Sequence, residues 1–93
     1  MNLNLQNKNA IVCASSQGLG KAAAMDLAQE GVNLAICSRD QKKIDKIKEE
    51  IIQSTDNKIK VIALKVNLDS SEEIHTFFKH VENNLGSIDI LVN

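Results

Sequence analysis

The 93-residue sequence contains no proline, no tryptophan and no tyrosine, and only two phenylalanines. Without tyrosine, no phenol is available to exchange protons. Without proline, no ring blunts the edge of a strand. Two cysteines, Cys13 and Cys37, sit inside apolar runs. They read as buried thiols of a reducing cytoplasm rather than as a disulfide or a metal pair. Neither sign of charge dominates, and the net charge of −1 gives no support for a nucleic-acid partner. No apolar run approaches the ~18 residues of a membrane helix, so no membrane partner is expected. The first seven residues have neither the basic nor the apolar region of a secretory leader.

What is present is a 43% hydrophobic chain, ordinary for a globular domain, without repeats, linkers or low-complexity segments. At this length roughly 60–65% of the unfolded surface is buried, which makes a marginal core. The organising stretch is 11–21, Ile-Val-Cys-Ala-Ser-Ser-Gln-Gly-Leu-Gly-Lys. An apolar strand over 9–14 breaks into a loop of small residues and opens into a helix over 19–30. Gly18 and Gly20 fall where that helix begins. A helix start carries unpaired N–H groups and a partial positive charge, and glycine lets the backbone approach an anion closely. Gly18, Gly20 and Ala23 fit the dinucleotide pattern G-x-G-x-x-G/A. The plainer alternative is a helix start that needs two small residues for packing. The P-loop pattern G-x-x-x-x-G-K-[ST] does not fit, because Ser15 stands at its first glycine and Ala22 has no hydroxyl for magnesium.

Along the rest of the chain, Asn7 is a turn residue before the first strand. Leu19, Ala23 and Leu27 form a narrow helical face, and Gly31 stands where a C-terminal cap belongs. A second strand covers 32–37. A helix over 40–53 carries Ile44, Ile47 and Ile51 on one face with charges elsewhere. A third strand spans 59–66. Ser70 and Glu73 read as a capping box, followed by a stripe of Ile74, Phe77, Phe78, Val81 and Leu85 that ends at Gly86. His75 and His80 lie on that helix as surface residues. A fourth strand covers 88–92. The alternation β-α-β-α-β-α-β predicts an α/β, Rossmann-type, doubly wound parallel sheet of strand order 3-2-1-4. Its ligand is expected at the switch point between strands 1 and 4.

A dinucleotide site needs a group for the adenosine ribose about 20 residues after the fingerprint. Counting from Gly18 leads to Ser38, followed by Arg39. No acid is there to hold the 2′-hydroxyl of NAD, whereas a guanidinium can fork onto the 2′-phosphate of NADP. NADP is therefore the expected cofactor, ahead of NAD. Asp40 can cap the following helix or oppose that phosphate.

The residues 13–20 resemble the T-G-x-x-x-G-x-G loop of the short-chain dehydrogenase/reductase family. Cys13 takes the Thr position and Ala14 the first Gly position, and Gly18 and Gly20 match. Ser38-Arg39-Asp40 looks like the NADP-preferring form of the loop after strand 2. Asn67-Leu68 falls where the family has Asp-Val against adenine. Residues 89–93 look like D-I-L-V-N-N-A-G cut after its first Asn. The resemblance covers the whole chain as the N-terminal half of a subunit. It implies cofactor contacts from Ser15, Ser16, Gln17, Gly18, Leu19, Gly20, Ser38, Arg39, Asn67, Leu68 and Asn93, with no catalytic residue and no metal ligand among them.

It further implies a parent oxidoreductase acting with NADP(H) on a small carbonyl or alcohol substrate through a Tyr-x-x-x-Lys and a Ser that lie beyond residue 93. The 93 residues then form one cofactor-binding domain fragment, truncated before the catalytic half and inactive alone. The alternative is a non-catalytic remnant or a nucleotide-binding interaction module. Two helices are expected on one face of the sheet and one on the other. The exposed strand 4 edge predicts self-association.

Overall fold

The computed structural model describes residues 5–13 and 18–92, with the side chain of Leu19 outside that set. Its strands are β1 (Asn9–Cys13), β2 (Asn33–Ser38), β3 (Val61–Lys65) and β4 (Ile90–Val92). Its helices are α1 (Gly18–Gln29), α2 (Gln41–Ser54) and α3 (Ser71–Leu85). The strands form one parallel sheet in the order β3-β2-β1-β4, as the alternation predicts.

Successive side chains on a strand point to opposite faces, and the register sorts them. Ala10 stands beside Leu34 and Ile90, and Val12 beside Ile36 and Val92. This face packs on Ala24 and Ala28 of α1 and on Ile44, Ile47 and Ile51 of α2. Ile11, Ala35 and Cys37 point the other way, onto Phe77 and Val81 of α3. Burial of each large aliphatic side chain contributes about 1.5–3 kcal/mol. Two helices therefore cover one face and a single helix the other. Leu91, in register with Ile11 on the α3 face, stays 52% exposed.

The buried face of α1 is shifted one position from the expected Leu19–Ala23–Leu27 stripe. Ala24 and Ala28 are buried against the sheet, while Ala23 and Leu27 are half-buried. The smallest side chains make the closest contact, and Met25 and Leu27 flank them. The helix ends in a Schellman motif. Gly31, with φ of 85°, donates its N–H to Ala28 O at 3.0 Å, and Val32 donates to Leu27 O at 3.2 Å.

Asp40 is the N-cap of α2, its carboxylate accepting the Lys43 N–H at 3.2 Å. Ser70 caps α3 in the same way, accepting the Glu73 N–H at 3.2 Å. The capping box is only half made. Glu73 reaches past Ser70 to accept the Asn67 N–H at 3.0 Å, and Ser70 N–H donates to Asn67 O at 3.0 Å. The acid thus fastens the whole loop after β3.

β3 and β4 are shorter than expected. The β4 ladder starts at Ile90, and just before it Ser87 and Asp89 are drawn into bonds with Asn9 at the head of β1. Asn9 is 8% exposed. Its Nδ2 donates to Leu85 O and Ser87 O, both at 2.9 Å, and its Oδ1 accepts from Asn33 Nδ2 at 3.2 Å. Its backbone N–H donates to Asp89 Oδ2 at 2.9 Å, and Asp89 N–H returns a bond to Asn9 O at 2.8 Å. At the far edge, the Gln41 amide covers β3, donating to Ala63 O at 3.2 Å and accepting Lys65 N–H at 2.8 Å.

Candidate cofactor site

All strands run the same way, so Cys13, Ser38, Lys65 and Val92 end on one edge of the sheet. β1 leads from there into α1 on one face, while the chain entering β4 comes from α3 on the other. This edge, between β1 and β4, is the switch point at which a doubly wound sheet opens a crevice.

Ser15, Ser16, Gln17 and Asn93 lie outside the described residues, as does the side chain of Leu19. Gly18 and Gly20 form the first turn of α1. Gly18 is exposed, and a Cβ built there would meet no described atom within 4 Å. Packing among the described residues therefore does not demand glycine at this position. The first turn of α1 holds no acidic side chain, whereas α2 starts at an aspartate cap and α3 carries Glu72 and Glu73. The positive end of α1 is thus the one without a carboxylate of its own. Lys21 points toward α2, with Nζ 2.7 Å from Glu50 Oε2. That hydrogen bond holds the Glu50 carboxyl below its ordinary value. The engagement of Lys21 is a further observation against a P-loop.

Ser38 is 5% exposed, and its hydroxyl is committed to the backbone. It accepts the Asp40 N–H at 3.2 Å and donates to Asp40 O at 3.1 Å. Ser38 therefore shapes the turn that presents Arg39. The Arg39 side chain is 75% exposed, with Nη2 3.0 Å from Asp69 Oδ2. Asp40, serving as the α2 cap, is committed to that role. Asn67 Oδ1 accepts the Asp69 N–H at 3.0 Å, and Leu68 is exposed beside it. An apolar pocket of about 310 Å³ opens at this edge between the sheet and α3, lined by Cys13, Val66, Leu68, Phe78 and Leu91.

The structure thus gathers Gly18, Gly20, Arg39, Asn67 and Leu68 along the carboxyl edge, on elements far apart in sequence. A helix start, a guanidinium and an apolar recess suit an elongated anion with one flat apolar end. Asp69 is the participant that sequence reasoning missed. Its only signal is an acid one residue before the α3 cap.

A larger groove, about 700 Å³, lies at the opposite edge and is lined by Asn7, Glu30, Gly31, Thr55, Asp56 and Lys58. It faces the C-terminal ends of α1 and α2, whose partial negative charge disfavours phosphate. Among the described residues no group of three His, Cys, Asp or Glu side chains could hold a metal, and no helix is long and apolar enough to cross a membrane. His75 and His80 are both exposed on α3.

A family model described as short chain dehydrogenase matches residues 8–93. The 3-oxoacyl-(acyl-carrier-protein) reductase FabG of Staphylococcus epidermidis is 32% identical over 87 residues, which cover 94% of this chain and 35% of the relative. The chain thus spans about a third of the length of the curated relatives it matches. L-sorbose reductase of Gluconobacter frateurii, solved with NADPH and L-sorbose, superposes with a TM-score of 0.93 at 25% identity, covering 100% of this chain and 35% of that one. YwfH, an NADPH-dependent reductase involved in bacilysin biosynthesis, gives a TM-score of 0.87 at 32% identity, covering 92% of this chain and 34% of its own. The glycine turn into α1, the β3-β2-β1-β4 sheet and a family match across nearly all of its length agree, and the chain belongs to the short chain dehydrogenase family.

Proposed function

We propose that this chain is the NADP(H)-binding part of an oxidoreductase that acts on a carbonyl/alcohol pair, forming a single N-terminal cofactor domain. When bound, NADP(H) supplies or accepts a hydride. The carrying observation is Arg39. It follows β2 at the carboxyl edge, its guanidinium is three-quarters exposed, and no acid stands at position 38. The absence of any described atom within 4 Å of a Cβ at Gly18 and the carboxylate-free first turn of α1 support a phosphate there. In this reading Ser15, Ser16, Gln17, Gly18, Leu19 and Gly20 hold the pyrophosphate. Ser38 shapes the turn from which Arg39 meets the 2′-phosphate. Asn67 and Leu68 flank the adenine beside the apolar pocket, and Asn93 is a further cofactor-binding residue. The two NADPH-associated reductases of the same fold support NADP binding. The 93-residue polypeptide alone is proposed to be catalytically silent, because it has no tyrosine phenol. A reducing cytoplasm is the compartment proposed.

Titration of NADPH and NADH by fluorescence tests the cofactor assignment. NADPH should bind more tightly, and Arg39→Ala should weaken NADPH by about 1.5–3 kcal/mol, the scale of a charged hydrogen bond, while sparing NADH. Equal weakening of both would overturn the assignment. With a panel of carbonyl compounds added, the same material should consume no NADPH.

A further inference from the structure

We propose that Asp69 is a specificity-determining residue: it holds Arg39 in an ion pair that a 2′-phosphate must share or displace, and so limits the preference for NADP over NAD. The inference rests on the reading of Arg39 given above. The two side chains come from loops 30 residues apart, after β2 and after β3, and meet at 3.0 Å on the carboxyl edge. Neither loop depends on the pair for its shape. Arg39 is presented by the Ser38–Asp40 turn, with its two reciprocal bonds. Asp69 is set by its N–H bond to Asn67 Oδ1 and by the α3 cap that follows at Ser70. Each loop thus presents its side chain through bonds of its own, and the two meet at the carboxyl edge.

The pair is 75% and 82% exposed, so water screens it and a stronger anion can break it. Guanidinium has five donors in a fixed fork, and a phosphate prefers to take two of them. A phosphate arriving at Arg39 therefore meets a competing acceptor and a like charge at the same group. Both effects act on the phosphorylated cofactor alone, since NAD(H) brings no anion to this position. If Asp69 instead aimed Arg39 at the phosphate, removing its charge would have the opposite sign.

Binding of NADPH, NADH and the probes 2′,5′-ADP and 5′-AMP distinguishes these cases in the unchanged protein, Asp69→Asn, Arg39→Ala and the double variant. Asp69→Asn should tighten NADPH and 2′,5′-ADP roughly three- to tenfold, the range of a lost surface pair plus relieved repulsion. NADH and 5′-AMP should be unchanged, and the gain should shrink with added salt and be largely lost beside Arg39→Ala. Asp69→Ala serves as a second variant, with circular dichroism confirming the fold of each. If Asp69→Asn leaves NADPH unchanged or weaker while Arg39→Ala still lowers NADPH selectively, the inference falls and the cofactor reading stands. If Arg39→Ala weakens both dinucleotides alike, or neither binds, the cofactor reading falls and this inference with it.

Discussion

Asn9→Ala should destabilise the protein by about 2 kcal/mol, although the residue lies at the edge of the sheet opposite the candidate cofactor site. The side chain makes three bonds, to Leu85 O, Ser87 O and Asn33 Nδ2. Each is worth about 0.5–1.5 kcal/mol net. Ser87 is exposed and Leu85 and Asn33 are half-buried, so water can reach the deserted partners and values near the low end apply. The reciprocal backbone bonds with Asp89 survive the substitution. Urea unfolding should show a lower midpoint with an unchanged slope. Asn9→Asp should cost more, because it sets an ionised carboxylate against two carbonyl oxygens that need a donor. A loss below about 0.5 kcal/mol for Asn9→Ala, less than one net hydrogen bond, would refute the claim that this side chain anchors the entry to β4.

Three further outcomes are expected. Gly18→Ala should leave stability unchanged or raise it by up to about 1 kcal/mol, because no described atom obstructs the methyl and alanine favours helix, yet it should weaken NADPH binding; loss of stability by thermal melting would return Gly18 to a packing role. The Lys21–Glu50 bond lowers the folded-state Glu50 carboxyl, so its contribution is present above the unfolded value and lost as pH falls through the lower folded one. Glu50→Gln should therefore flatten the acid side of a plot of urea midpoint against pH, and an unchanged slope there would count against the pair. Leu91 is 52% exposed on the edge strand β4, while the β3 edge is covered by Gln41, so sedimentation should reveal concentration-dependent self-association that Leu91→Lys diminishes; a monomer at every concentration would sink this expectation.

The elements were legible in the sequence because their signals are local. Ile44, Ile47 and Ile51 repeat at helical spacing and are buried on α2, and Phe77 and Val81 are buried on α3 for the same reason. The Gly31 turn and the Ser70 cap concern neighbours within a few residues. From the β-α alternation and the right-handed crossover came the strand order, and with it the edge where the glycine turn belongs. The partners of long side chains were not legible. The α1 contact shifted to Ala24 and Ala28 because how closely a helix lies on a sheet depends on the facing side chains, not on its own period. Lys21 turned to Glu50, Arg39 to Asp69, and Asn9 to the chain entering β4. Each pair joins segments that only the folded crossovers bring together. Sequence alone therefore determined which elements form and at which edge the glycine-started helix begins, since backbone periodicity and helix ends are local properties. Tertiary structure decided which charges face one another there, because that depends on the distance between loops with no sequence relation.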